Sequence, residues 1–235
     1  METMNTPFTL EQVDRDGAIQ ETLDEVSGDT RAGFFAKAAA VSGGVVGGGA
    51  ALGLFATPAS AATSNDVAIL NYALTLEYLE ATFYDQAVSS GALSGETLQF
   101  AKVVEKHENA HVAALKKALG SKAIAKPTFD FKGTTEDQKK FQQTSMTLEN
   151  LGVAAYKGQA AKIDSTAYLN SALAIHTVEA HHAAWIMYIL GVKPAPVAFD
   201  KPKTMAQVLA AVKKTGFIAS KPSMTKQGSS PGFTG

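Results

Sequence analysis

The chain carries one pattern twice. Leu76-Glu77-x-Leu79, with Tyr84 seven residues beyond the Glu, recurs as Leu148-Glu149-x-Leu151 with Tyr156. Glu108-x-x-His111, closed by Leu119-Gly120, recurs as Glu179-x-x-His182, closed by Leu190-Gly191. The offset is 72 residues from Glu77 to Glu149 and 71 from Glu108 to Glu179. A carboxylate and then a carboxylate–imidazole pair, presented twice at almost one offset, predict two similar halves related by a two-fold axis. Together the halves offer four Glu and two His, which is a ligand inventory for metal ions.

The pattern needs helices. Residues i and i+3 on a helix are about 60° apart in azimuth and about 4.5 Å apart along the axis, so Glu108 faces the same way as His111, and Glu179 as His182. Apolar spacing and capping residues predict long helices over 65–89, 94–119, 135–162 and 165–191, and a short one over 204–214. Ser64 or Asn65 is the expected first cap, Ser94 the second, and Gly120 ends the second helix. Glu136 and Asp137 fall in the first turn of the third helix, and Pro194 and Pro196 forbid continuation of the fourth. The first two helices, and the last two long ones, are joined by short connections and so form antiparallel hairpins. The linker expected over 120–134 can span about 46 Å when extended, against nearly 40 Å for the second helix. It can run back along the whole bundle. Phe129 and Phe131 alternate with polar residues after Pro127, as in a strand-like segment pinned to the surface. The expected fold is all-α: a four-helix bundle with a long crossover between the second and third helices and a short C-terminal helix.

A single Glu-x-x-His on a helix says little, because most such pairs are solvated, and a lone Leu-Glu-x-Leu says less. The joint pattern says more. All five His (His107, His111, His176, His181, His182) fall on the second and fourth helices, and the key Glu sit among apolar residues. Unpaired buried charge costs several kcal/mol, so four inward carboxylates need cations. The candidate metal ligands are Glu77, Glu108, His111, Glu149, Glu179 and His182. The inventory of one Glu from each of two helices and a Glu-x-x-His from the other two is that of dinuclear carboxylate bundles. Such an oxygen-rich set suits two Fe or two Mn ions, whereas zinc prefers four ligands. The competing reading is a site without metal, kept as a proton-sharing hydrogen-bonded network. Where the halves differ, Glu80 stands opposite Gly152 and Glu105 opposite His176. Glu80 and His176 are therefore candidate additional ligands. Tyr84 and Tyr156 lie two turns beyond ligands on the same face, to hydrogen-bond the site, to act as redox-active phenols, or to serve as core tyrosines. His107 and His181 are expected to point sideways, and Trp185 to pack.

The sequence contains no cysteine, which excludes disulfides, thiolate catalysis and cysteine-held iron. Residues 1–61 hold 3 Lys/Arg and 8 Asp/Glu, and 62–235 hold 18 and 14. No clustered basic stripe argues for nucleic acid. Residues 1–61 read as an export signal: a long polar start, Arg31 to Lys37, an Ala/Gly/Val-rich run, then Ala59-x-Ala61 as a small-residue cleavage signature. This resembles a twin-arginine signal, with only Arg31 where two arginines are usual. The glycines from Gly43 to Gly49 argue against a stable membrane span. Export, to the periplasm or beyond the cell, is expected. The bundle is expected over 62–217 and a flexible tail over 218–235, Ser/Gly/Pro-rich from 221 onward.

The stretch from Ile69 to Tyr84, Leu148 to Tyr156, and the segments Ala198–Pro202 and Met205–Leu209 resemble ferritin-like domain proteins related to plant desiccation-related proteins. The resemblance covers about residues 65–217. It implies the ferritin-like fold. The wider superfamily of ferritins, rubrerythrins and manganese catalases implies a dinuclear centre in which Glu108 and Glu179 bridge. Three functions follow as expectations. The first is an exported di-iron or di-manganese protein acting on oxygen or peroxide, with metal ions and a small oxidant as partners. The second is a stress or desiccation protein binding other molecules, with a vestigial site. The third is iron storage in a cage, which requires association of many copies; a smaller homo-oligomer also stays open.

Overall fold

The computed structural model describes residues 62–219. The expected export signal over 1–61 and the tail from 220 onward lie outside the described residues. The described chain forms α1 (Ser64–Ser90), α2 (Gly95–Leu119), a 3-10 turn (Gly120–Lys122), α3 (Gln138–Ala160), α4 (Thr166–Ile189) and α5 (Met205–Thr215). The most extensive pairings are α1 with α2 and α3 with α4, and contacts of α2 with α4 and α1 with α3 close the bundle. The fold is all-α, with two hairpins and a crossover over 120–137. Among the described residues no helix is long and apolar enough to cross a membrane.

Caps explain where the helices start, and they differ from expectation. Thr63, in extended conformation, caps α1 by accepting from the Asp66 backbone N–H at 3.0 Å. Asn65 instead donates to the carbonyl of Lys162 at 2.6 Å, tying α1 to the α3–α4 loop. Ser94 occupies the N-cap position of α2, but its hydroxyl bonds Gln138 Oε1 at 3.1 Å and no backbone N–H of its own helix. α3 starts at Gln138 and not near 135, because residues 132–137 form turns and a bend and Asp137 is still extended, at φ −139° and ψ 120°. The Asp137 carboxylate then caps by accepting from Lys140 N at 2.8 Å. α5 opens on a capping box between Thr204 and Gln207.

The core has two apolar parts with a polar layer between them. Toward the α1–α2 loop, Phe83 stacks on Phe141 with centroids 5.2 Å apart and meets Phe131 edge-on at 5.3 Å. Toward the other end, Leu70, Leu74, Tyr78, Leu115, Leu119 and Ile175 cluster together. On α2, Glu108 lies between Val104 of the first part and Leu115 of the second; on α4, Glu179 lies between Ile175 and Ile186.

The crossover does hold a strand-like segment. Phe129 pairs with Ile218 in an antiparallel bridge, Asp130 N donates to Phe217 O at 2.8 Å, and Ala219 N to Thr128 O at 2.9 Å. Phe131 is buried beneath it. Residues 218 and 219, expected to begin the tail, are thus bonded to the crossover, and the ordered bundle runs through Ala219. Nearby, Lys203 N donates to Ala154 O at 3.0 Å. A Cβ on Gly158 would lie 1.8 Å from the Lys203 carbonyl oxygen. That oxygen is backbone and cannot rotate aside. Gly158→Ala is expected to displace the segment leading into α5 and to cost about 1–3 kcal/mol as overpacking, read from chemical denaturation; an unchanged midpoint would show that the segment is not held there.

Candidate metal centre

Each long helix brings one carboxylate to the polar layer: Glu77 from α1, Glu108 from α2, Glu149 from α3 and Glu179 from α4. All four are 0% exposed, with His111 at 7% and His182 at 2%. His111 Nδ1 lies 3.2 Å from Glu77 Oε2, 3.3 Å from Glu108 Oε2 and 3.2 Å from Glu179 Oε1. His182 Nδ1 lies 3.1 Å from Glu108 Oε1 and 3.3 Å from Glu149 Oε2. Two metal-sized groups result: Glu77, Glu108, His111 and Glu179; and Glu108, Glu149, Glu179 and His182. In each group the ligand atoms lie within 4.8 Å of one another. Glu108 and Glu179 belong to both groups. Glu108 turns one oxygen to each histidine.

The outer carboxylates are oriented by tyrosines. Tyr156 donates to Glu77 Oε1 at 2.5 Å, and Tyr84 donates to Glu149 Oε1 and also bonds Ser145 Oγ. The pairing is crosswise: the α3 tyrosine holds the α1 carboxylate and the α1 tyrosine the α3 carboxylate. In both cases Oε1 takes the phenol and Oε2 faces a histidine. Burial, and then the adjoining carboxylate, hold both phenols well above their ordinary pKa, so they stay donors.

The centre fits cations by its unpaired atoms. Glu108 Oε1 and Glu149 Oε2 meet His182 Nδ1, and Glu179 Oε1 meets His111, at ion-pair distance but without hydrogen-bond geometry, and Glu179 Oε2 is buried with neither kind of contact. Native proteins pair nearly all such atoms, and here the unpaired ones converge. With no cation, protons compensate. Burial pushes Glu77 up to about 7 despite His111. Burial and then Glu108 push Glu179 well up, and burial also raises Glu149. Burial acts the same way on Glu108, but His111, His182 and Glu77 outweigh it and hold that carboxyl below the usual range. Burial pulls His182 down, yet Glu108 and Glu149 outweigh it and raise the imidazole to about 11. His111 is likewise raised well above its usual value, Glu77 and Glu108 outweighing burial.

Glu80 is buried at 4% exposure, its pKa raised first by burial and next by Glu179. A Cβ on Gly152 would meet Glu179 Oε2 at 3.1 Å and Glu80 Oε1 at 3.5 Å. The space opened by Gly152 is therefore where these two carboxylates approach. His176 is not brought to the centre. It belongs to neither group; its Nε2 is buried and unpaired, and after burial the charge acting on it is that of Lys157, with Asp200 opposing. It lies one turn before Glu179 and is half-buried. His107, expected to point sideways, instead bonds His182, with its Nδ1 at 2.8 Å from His182 Nε2. The signal for it was the unmatched imidazole: His107 faces Val178 in the repeat. Trp185 packs edge-on against Phe100 at 5.3 Å, as expected.

A family model for the ferritin-like domain matches residues 65–192. The chain belongs to the ferritin-like domain family. The match runs from α1 through α4 and takes in every residue of both metal-sized groups. No curated protein matches the chain.

The proton-held state gives a pH prediction. Glu77 is raised from 4.5 to about 7, so its stabilising proton is fully present below about pH 4.5 and is lost as pH rises through about 7. His182, raised from 6.5 to about 11, contributes fully below about pH 6.5 and loses its contribution through about pH 11. In chelator, Tm is expected to fall from about pH 5 to about pH 9, followed by circular dichroism. A cation bound in the cluster would flatten or invert that slope, because cations need deprotonated ligands. A Tm rising with pH in chelator would contradict a proton-held cluster.

Proposed function

We propose that this ferritin-like chain is an exported dinuclear carboxylate protein that holds two Fe or two Mn ions and serves redox chemistry on oxygen or peroxide, or metal handling under stress. The observation that carries this reading is Glu108, whose two oxygens face two different histidines within two overlapping ligand groups. Glu77 and His111 would hold one ion and Glu149 and His182 the other, with Glu108 and Glu179 common to both. The oxygen-rich donor set favours Fe or Mn over zinc. When bound, such a pair acts as a Lewis acid and redox partner for a small oxidant. The chain's part is to exclude bulk water by full burial, to fix the outer carboxylates through Tyr84 and Tyr156, and to carry protons on Glu77, Glu179 and Glu80. The composition of residues 1–61 supports export.

Full-length protein loaded anaerobically with Fe²⁺, or with Mn²⁺, is expected to hold two ions per chain by metal analysis, and Glu108→Ala to lose both. Loaded protein is then assayed for oxygen and peroxide consumption. Failure to bind either metal after both loadings would sink the reading.

A second reading, a stress-related structural or interaction protein with a vestigial site, draws support from the way protons alone can balance the cluster. It expects Glu108→Ala to leave tolerance of the host cell to drying or oxidant unchanged.

A further inference from the structure

The two-fold symmetry of the centre breaks at one contact that the reading above leaves unused. His107 is exposed, and its Nδ1 lies 2.8 Å from His182 Nε2. The ring planes are 17° apart and the centroids 5.1 Å apart. The centroid separation exceeds the nitrogen–nitrogen distance by about two ring radii, so both nitrogens lie near the line joining the rings. The contact is an end-to-end, in-plane hydrogen bond, in which an N–H points along a lone pair. At the matching position of the other half stands Val178. That side chain has no hydrogen-bonding group to offer His111.

His182 turns its other nitrogen, Nδ1, to Glu108 Oε1 and Glu149 Oε2. A neutral imidazole that gives the Nδ1 lone pair to a cation keeps its proton on Nε2. The direction of the bond is then fixed: His182 Nε2–H donates to His107 Nδ1. We propose that His107 is a positioning residue for the cation held by Glu108, Glu149, Glu179 and His182. By accepting from His182 it selects the tautomer and the ring plane that present Nδ1 to the centre, and it does so at only one of the two cation positions. This rests on the dinuclear reading above. Its consequence is that the two ions bind unequally, with the position at His182 favoured. Partners that orient a ligating imidazole are worth about 10- to 100-fold in metal affinity.

The test is a competition titration of full-length, metal-free protein with Mn²⁺ against a chelating indicator. Wild type is expected to take up two ions. His107→Phe, which keeps a ring but accepts no hydrogen bond, is expected to weaken one step by about 10- to 100-fold and spare the other. Electron paramagnetic resonance midway through the titration then shows more isolated Mn²⁺ and less of the coupled pair. His107→Gln, whose amide oxygen can accept the same N–H, is expected to restore the weakened step. Two wild-type steps in His107→Phe, or an equal loss in both, would overturn the inference while leaving the dinuclear reading intact. Absence of Mn²⁺ binding by wild type would remove the reading and this inference together.

Discussion

Four helices each bury a carboxylate in one shared layer, and the rest of the molecule is arranged around that constraint. Moving an ionised carboxylate out of water costs several kcal/mol even after relaxation. Four of them with no solvent exposure are tolerable only when protons, imidazoles or cations balance them. The two apolar parts of the core lie on either side of this layer, supplying the burial that a layer of charge cannot. The phenols of Tyr84 and Tyr156 and the imidazoles of His111 and His182 divide the carboxylate oxygens among themselves, and the atoms left without partners converge on the centre.

The centre is nearly symmetric, and its departures from symmetry gather around Glu179 and His182. Gly152 stands where its counterpart is Glu80, and the missing side chain lets the Glu80 carboxylate approach that of Glu179. Val178 stands where its counterpart is His107, which reaches across to His182. A repeated half supplies the ligands, while differences between the halves give the two ends of the centre different surroundings. One end is linked through His107 to the exposed surface; at the other, the matching position is Val178, which offers no such bond.

Much of this was legible in the sequence because helical periodicity is local. A Glu and a His three residues apart must share a face, and two such pairs at one offset must form two similar hairpins. The crossover was legible for the same kind of reason, since its reach against the length of α2 allowed the return path. What escaped depends on neighbours from other helices. Thr63, not Ser64 or Asn65, caps α1 because Asn65 is drawn to Lys162 of the distant loop. The start of α3 is set by the turns over 132–137 and the extended Asp137 that caps it, and Glu136 and Asp137 suit a cap as well as a first turn. His176 and His107 were misread for one reason. Azimuth on a helix places a side chain within a wide sector, and only the packing of the partner helix decides whether it reaches the centre, the outer surface or another ring. The paired Tyr84 and Tyr156 were found by spacing, but their crosswise assignment to Glu149 and Glu77 could not be read from one chain segment at a time.

That crosswise assignment has a mechanical meaning. α1 and α3 belong to different hairpins and touch less extensively than the helices within either hairpin. The two phenol–carboxylate bonds run between them in both directions, so the hairpins are laced together through the ligands themselves. Relative sliding of the halves therefore cannot be absorbed by a single ligand. It loads Glu77 and Glu149 at the same time, and the spacing of the two halves and the shape of the centre become one degree of freedom.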